Sequence, residues 1–219
     1  MNLVEEFTLL AYDDDGTPLT DGTHLDHGLG GGLLLELALA GRVDVVGKTV
    51  VALDISPTGD PLVDAALMQI VADDKPRKPG HWVSKFAKTT RPQVLDKLVA
   101  DGILTVEKDK VLWVFPRTKY PAAHGVEPPQ ETAARDRMRR AVLGTGAVEP
   151  RTGALCALVA ATGLDKSVFG DLDAKDRLRE ISEGAWAAAA VKKAIDEIQA
   201  AVMVAIVAST TAATAGTPS

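Results

Sequence analysis

Two cations stand three residues apart in Lys88-Thr89-Thr90-Arg91-Pro92, just ahead of an expected helix whose first turn holds Pro92. Backbone N–H groups are unpaired at a helix start and the helix dipole is positive there. Two cations at that point are therefore disfavoured, by about 0.3–1 kcal/mol per charge, until an anion joins them. An oxyanion between them gains from both charges and from the open donors, so phosphate binding is the chemistry this spacing points to. Solvated surface cations are the competing reading.

The other constellations carry less chemistry. His24 and His27 lie near Asp26, but His81 and His124 have no fixed spacing to that pair, so surface histidines are expected and no metal. Gly28-Leu29-Gly30-Gly31-Gly32 follows no apolar strand and ends in no Gly-Lys-Ser/Thr, which excludes a dinucleotide or phosphate loop. Those glycines are expected to admit a close neighbour instead. Gly47-Lys48-Thr49 has the tail of a phosphate-loop motif, yet Arg42 occupies its earlier glycine position and a strand-like run follows. No Gly-x-Ser-x-Gly elbow, His-Glu-x-x-His helix or paired carboxylates occur, so neither an enzyme nor a cofactor is expected.

Charge sharpens the first reading. Residues 75–140 hold 15 of the 24 Lys and Arg but only 7 of the 30 Asp and Glu, while the whole chain carries −6. A cationic region on an anionic body favours phosphate-bearing partners and disfavours uniform coating by a polyanion. The single cysteine, Cys156, sits in an apolar run, which predicts a buried thiol and fits a reducing compartment. Glu5 and Glu6 stand where a signal peptide would need cations, so cytoplasmic residence is expected. Lys192, Lys193, Asp196 and Glu197 interrupt the Ala-rich stretch 185–208, which predicts a core helix rather than a membrane span of about 20 apolar residues. A flexible tail is expected over 209–219.

The elements that must position the cations read as a duplicated unit. Leu34, Leu37, Gly41, Val43, Val45 and Val50 superpose on Leu95, Leu98, Gly102, Leu104, Val106 and Val111 without a gap. Each copy predicts a leucine-rich helix, a left-handed glycine and a β-hairpin. The hairpins are expected over 43–53 and 104–115, with turns at Gly47-Lys48 and Lys108-Asp109. Further helices are expected over 60–72, 131–143, 153–161, 173–182 and 185–208, with loops over 13–22, 73–80 and 120–129. Leu112, Trp113, Val114 and Phe115 make the second ribbon apolar on both faces, which calls for a partner chain, a bilayer interface or burial on both sides within the fold.

The segments LVEEFTLLAYDDDGT at 3–17, GLGGGLLLELALAGRV at 28–43, SPTGDPLVDAAL at 56–67 and LVADGILTVEKDKVLWVF at 98–115 resemble the Golgi phosphoprotein 3 family in order and spacing. The resemblance covers nearly the whole chain. It implies a mainly α single domain over 1–208, with a central helix bundle, surrounding amphipathic helices and two short β-hairpins. It also implies a peripheral membrane adaptor that binds the headgroup of phosphatidylinositol 4-phosphate; eukaryotic members retain glycosyltransferases in the Golgi.

The family's headgroup pocket uses a Trp, one basic residue before the leucine-rich helix, and two basic residues three apart before the second helix. That pair matches Lys88 and Arg91; the first basic position falls on Gly30, the Trp on or near Asp21, and His27 is the substitute cation. The family's hairpin for self-association and membrane contact matches 106–117, which assigns Leu112, Trp113, Val114 and Phe115 to membrane or oligomer contact. A composition rich in Ala, Gly, Val and Asp suits a bacterial member, whose protein cargo the resemblance does not supply. Three functions follow as expectations. The first is docking on an anionic phospholipid headgroup, and the second is a winged-helix-like grip on nucleic acid, which the net charge and the sparse helix 93–100 disfavour. The third is a scaffold using Asp13-Asp14-Asp15 and Asp73-Asp74 for basic peptides.

Overall fold

The computed structural model describes residues 1–111, 115–170, 172, 175–182 and 189–214, without the side chains of 109–111, 115–116, 182, 189–194, 210 and 212–214. The described chain is mainly helical, with two small antiparallel hairpins, as the sequence predicts.

Helix α2 (Gly22–Leu39) lies at the centre because it has no polar face to turn outward. Asp21 starts it, its carboxylate accepting hydrogen bonds from the N–H groups of Thr23 and His24. Helices α1 (Leu3–Leu10), α3 (Pro61–Val71), α4 (Pro79–Phe86), α5 (Thr90–Ala100), α7 (Pro150–Ala161) and α10 (Ala189–Thr214) all pack on it. Helix α6 (Pro129–Leu143) covers α1 and α7, and α9 (Lys175–Ser182) covers α6 and α7. Two glycines of α2 are required by these crossings. A Cβ on Gly30 would lie 2.4 Å from the Val83 carbonyl oxygen of α4, and one on Gly31 would lie 2.1 Å from Val202 Cγ2 of α10. The glycine run is thus a packing surface, as the missing nucleotide-loop context predicts.

Helix α1 is buried along its whole length, acidic residues included. Asn2 and Glu5 cap it reciprocally, each side chain accepting the other's N–H at 2.9 Å. Glu5 meets Lys97 of α5 at 2.6 Å, and Glu6 meets Arg137 of α6 at 2.8 Å and Arg151 of α7 at 3.3 Å. Hydrogen bonds to Asp101 and Glu5 hold the Lys97 ammonium above its ordinary pKa. The acids read from sequence as evidence against an export signal are therefore internal anchors.

The duplicated unit is real at the level of single hydrogen bonds. After α2, Arg42 N–H donates to the Leu37 carbonyl and Gly41 N–H to Ala38; after α5, Ile103 donates to Leu98 and Gly102 to Val99. Both are 6→1 and 5→2 closures around a left-handed glycine, with φ of 67° at Gly41 and 70° at Gly102. Strands β1 (Val43–Val46) and β2 (Thr49–Ala52) follow the first, joined by Gly47-Lys48 with φ of 56° and 71°, the hairpin turn the sequence predicts.

The second hairpin departs from expectation. Strand β3 (Glu107–Val111) pairs with β4 (Phe115–Lys119) so that Lys108 and Asp109 lie inside β3, opposite Thr118 and Arg117. Strand β3 ends at Val111 and β4 begins at Phe115, so the ribbon runs four residues beyond the predicted end at Phe115. Two further departures concern helices. Helix α4 occupies a stretch that Pro76, Pro79 and Gly80 mark as a loop, because Pro79 is its first residue, where a missing N–H costs nothing. Helix α10 continues six residues past Ala208, through Thr214. The short α8 (Asp165–Phe169) links α7 to α9.

Candidate functional site

Helix α4 turns Pro79, Trp82, Val83 and Phe86 inward and leaves its cap Lys78 and His81 exposed, with Lys85 half-buried at its flank and Lys88 exposed just beyond its end. Lys78 caps α4, His81 and Lys85 lie within it, and Lys88 lies in the turn that joins it to α5, so the cations are strung along this segment. Lys85 Nζ sits 4.7 Å from the Trp82 ring centre, which orients it along the helix. Among the described residues, Lys78, Lys85 and Lys88 have no carboxylate within ion-pair distance. His81 lies 4.0 Å from Asp73, and burial followed by the charge of Arg77 holds its pKa below the ordinary value.

Arg91 belongs to a different arrangement. Its Nε donates to Asp26 Oδ1 at 2.6 Å, and its Nη2 donates to the Gly22 carbonyl at 2.6 Å. The helix entrance predicted to await an anion thus has Asp26 of α2 beside one of its two cations. Part of the backbone polarity there is also spent locally, since Thr89 N–H and the Thr90 hydroxyl both donate to the Phe86 carbonyl. Lys88 remains exposed. His27 stands one residue beyond Asp26, half-buried, with Nδ1 2.9 Å from the Thr23 carbonyl of its own helix. Of the three residues expected at the headgroup, Arg91 reaches Asp26 and Gly22 in the first turns of α2, His27 bonds the backbone of its own helix, and Lys88 is exposed ahead of α5.

The two positions at which the resemblance places a basic residue and a Trp have structural roles in this chain. Gly30 is wedged against the α4 backbone, where no side chain fits, and Asp21 is the cap of α2. The predicted contact residues Leu112, Trp113 and Val114 lie outside the described residues; Phe115 opens β4 opposite Val111, its side chain also outside them. The histidines near α2 do not converge on a shared point: His24 Nδ1 pairs with the Asp21 carboxylate and His27 turns to the backbone. Helix α5 exposes Gln93 and Asp96, while Lys97 is held by Glu5 and Asp101, an arrangement unsuited to reading a nucleic acid.

Of the acidic residues proposed for basic peptides, Asp73 is engaged by Arg77 at 3.0 Å, and Asp13 accepts the Thr17 N–H at 2.7 Å. Asp13 and Asp14 also border a cavity of about 170 Å³ with Tyr12, Tyr120, Glu127 and Glu131. Burial pushes the Glu131 carboxyl up from 4.5 to about 7, although Arg135 contacts it at 2.6 Å. The native state therefore holds this proton more tightly than the unfolded chain, so the stability it confers is present below pH 4.5 and is lost as pH rises to about 7. By that linkage Glu131→Gln, which stays neutral, should gain about 2–3 kcal/mol on wild type between pH 4.5 and pH 8. Urea unfolding at the two pH values checks this; a difference independent of pH refutes it.

Among the described residues, no helix is long and apolar enough to cross a membrane. The profile of the Golgi phosphoprotein 3 (GPP34) family matches residues 3–198, from the first residue of α1 into α10. That span includes the duplicated helix-and-hairpin unit, the α2 crossing and the α4 lysines, so the resemblance read from four short segments extends across the fold: the chain belongs to the Golgi phosphoprotein 3 family.

Proposed function

We propose that this protein is a peripheral adaptor that docks reversibly on anionic phospholipid membranes and carries a protein partner with it. The observation that supports this most is the group of lysines along α4, where Lys78, Lys85 and Lys88 have no carboxylate within ion-pair distance among the described residues. Each Lys near an anionic surface contributes about 1 kcal/mol, so three acting together give about 3 kcal/mol without any spanning segment. Family membership fits an adaptor. The phosphatidylinositol 4-phosphate headgroup implied by resemblance would meet Lys88 first, with Arg91 available only in competition with Asp26 and with His27 behind it. The segment Leu112 to Phe115 supplies the apolar contact, with the bilayer or with a second copy.

Co-sedimentation with phosphatidylglycerol-containing vesicles tests the reading. Binding should be strong at low ionic strength and lost at about 1 M salt, where the Debye length is about 3 Å. Lys85→Glu with Lys88→Glu should weaken it at least about 30-fold, the equivalent of two lysines at about 1 kcal/mol each. Binding indifferent to both salt and the charge reversals refutes the proposal.

A further inference from the structure

A groove of about 790 Å³ opens beside the α4 lysines, and its lining has two characters. Lys48 comes from the turn between β1 and β2, Lys78 and His81 come from α4, and Ala201, Val204 and Ala205 come from α10. Arg77 also lines it but is held by Asp73, and Glu197 is the one carboxylate in the lining. Two observations set this groove apart from a chance depression. Val204 is 67% exposed in a helix whose neighbours Val202 and Ile206 are almost fully buried, so an apolar wall is presented to solvent directly beside cations. Lys48, the second residue of the β1–β2 turn, brings a cation from a second element to the same groove as Lys78.

A headgroup alone would use the lysines and leave the α10 wall bare, whereas a purely apolar ligand would strand the lysines. Charge and apolar surface together fit a molecule that carries an anion and a hydrocarbon chain. We infer that this groove takes the phosphate and one acyl chain of an anionic phospholipid, the phosphate between Lys48 and Lys78 and the chain along Ala201, Val204 and Ala205. The site is distinct from the Lys88–Arg91 pair and deepens the membrane-docking reading, on which it rests: the lipid would be held individually as well as through its surface charge.

Short-chain phosphatidylglycerols, below their micelle concentrations, separate the two ideas because no bilayer is present. Burial of one chain raises affinity about fourfold per methylene, so titration calorimetry should show dihexanoyl-phosphatidylglycerol, with two more methylenes in that chain, binding about fifteenfold tighter than the dibutanoyl lipid. Glycerophosphoglycerol, the headgroup without chains, should bind more weakly than either. Val204→Glu and Ala205→Trp should each abolish the chain-length gain while vesicle sedimentation stays salt-sensitive; Val204 is exposed enough that its replacement leaves folding intact. Equal affinities for the three ligands, or a chain-length gain that survives both substitutions, overturn the groove assignment. Failure of wild type to sediment with vesicles would instead remove the docking reading, while the calorimetry still decides whether the groove holds a chain.

Discussion

Glu6→Ala should cost about 3 kcal/mol of stability, a loss large enough to lower the melting temperature by about 6–12 °C in a chain of this size. Glu6 is 7% exposed and is the shared acceptor of two guanidiniums, Arg137 at 2.8 Å and Arg151 at 3.3 Å. Arg151 also reaches Glu36 at 3.2 Å and the Met1 carbonyl at 2.8 Å, so one acid ties α1, α2, α6 and α7 together. Burial tends to lower the Arg151 pKa, but the charges of Glu36 and Glu6 outweigh it and leave the pKa raised, as expected if the carboxylates hold the cation inside. Truncating the acid leaves Arg137 without its ion-pair partner among the described residues, while Arg151 keeps Glu36 and the Met1 carbonyl, so the penalty comes chiefly from the half-buried Arg137 charge. Glu6→Gln, which keeps the shape and one acceptor, should fall between wild type and the alanine variant. Chemical denaturation checks the order; a loss below about 1 kcal/mol for Glu6→Ala would mean the network is solvated and weak.

Gly30→Arg should fail to give a folded protein. The first atom of any side chain there would stand 2.4 Å from the Val83 carbonyl oxygen and 2.8 Å from Ala87 N, and both obstacles are backbone. Gly30→Ala should lose about 1–3 kcal/mol to overpacking even after the roughly 1 kcal/mol that alanine gains over glycine in a helix. Gly32→Ala is the control. Its Cβ would meet only the ends of Leu158 and Val4 side chains, at 3.2 and 3.6 Å, which can give way, so its stability should be near wild type. Thermal melts of the three variants decide the matter, and a stable Gly30→Arg would show that α2 and α4 can separate.

The local grammar of the chain was readable. The Leu37–Gly41 and Leu98–Gly102 helix endings match bond for bond because a left-handed glycine with leucines behind it is a signal contained within a few residues. The Gly47-Lys48 turn and helix α3 after Asp60 are legible for the same reason. What eluded the sequence depends on distance along the chain. The Arg91–Asp26 contact spans 65 residues, and the Glu6–Arg151 contact spans 145; no periodicity marks an acid as buried when its partner is that remote. Helix α4 was obscured by composition, since Pro79 and Gly80 with flanking cations resemble a loop until Trp82, Val83 and Phe86 are seen to share an inner face. The placing of the lysines follows from that helix. The cationic region was therefore visible as a count, while the spread of its lysines over α4 and the turn into α5 required the fold.

That placement is the central claim, and it can be separated from net charge by a paired reversal. Lys85→Glu with Lys88→Glu changes the α4 face, whereas Arg139→Glu with Arg140→Glu changes the total by the same four units at exposed positions of α6. Partitioning of both variants and wild type onto phosphatidylglycerol vesicles at low salt is the most direct measurement. The α4 variant should lose at least about 30-fold in affinity and the α6 variant only a few-fold. Equal losses would mean that the protein senses the membrane through its overall charge, and the α4 face would have no special part in docking.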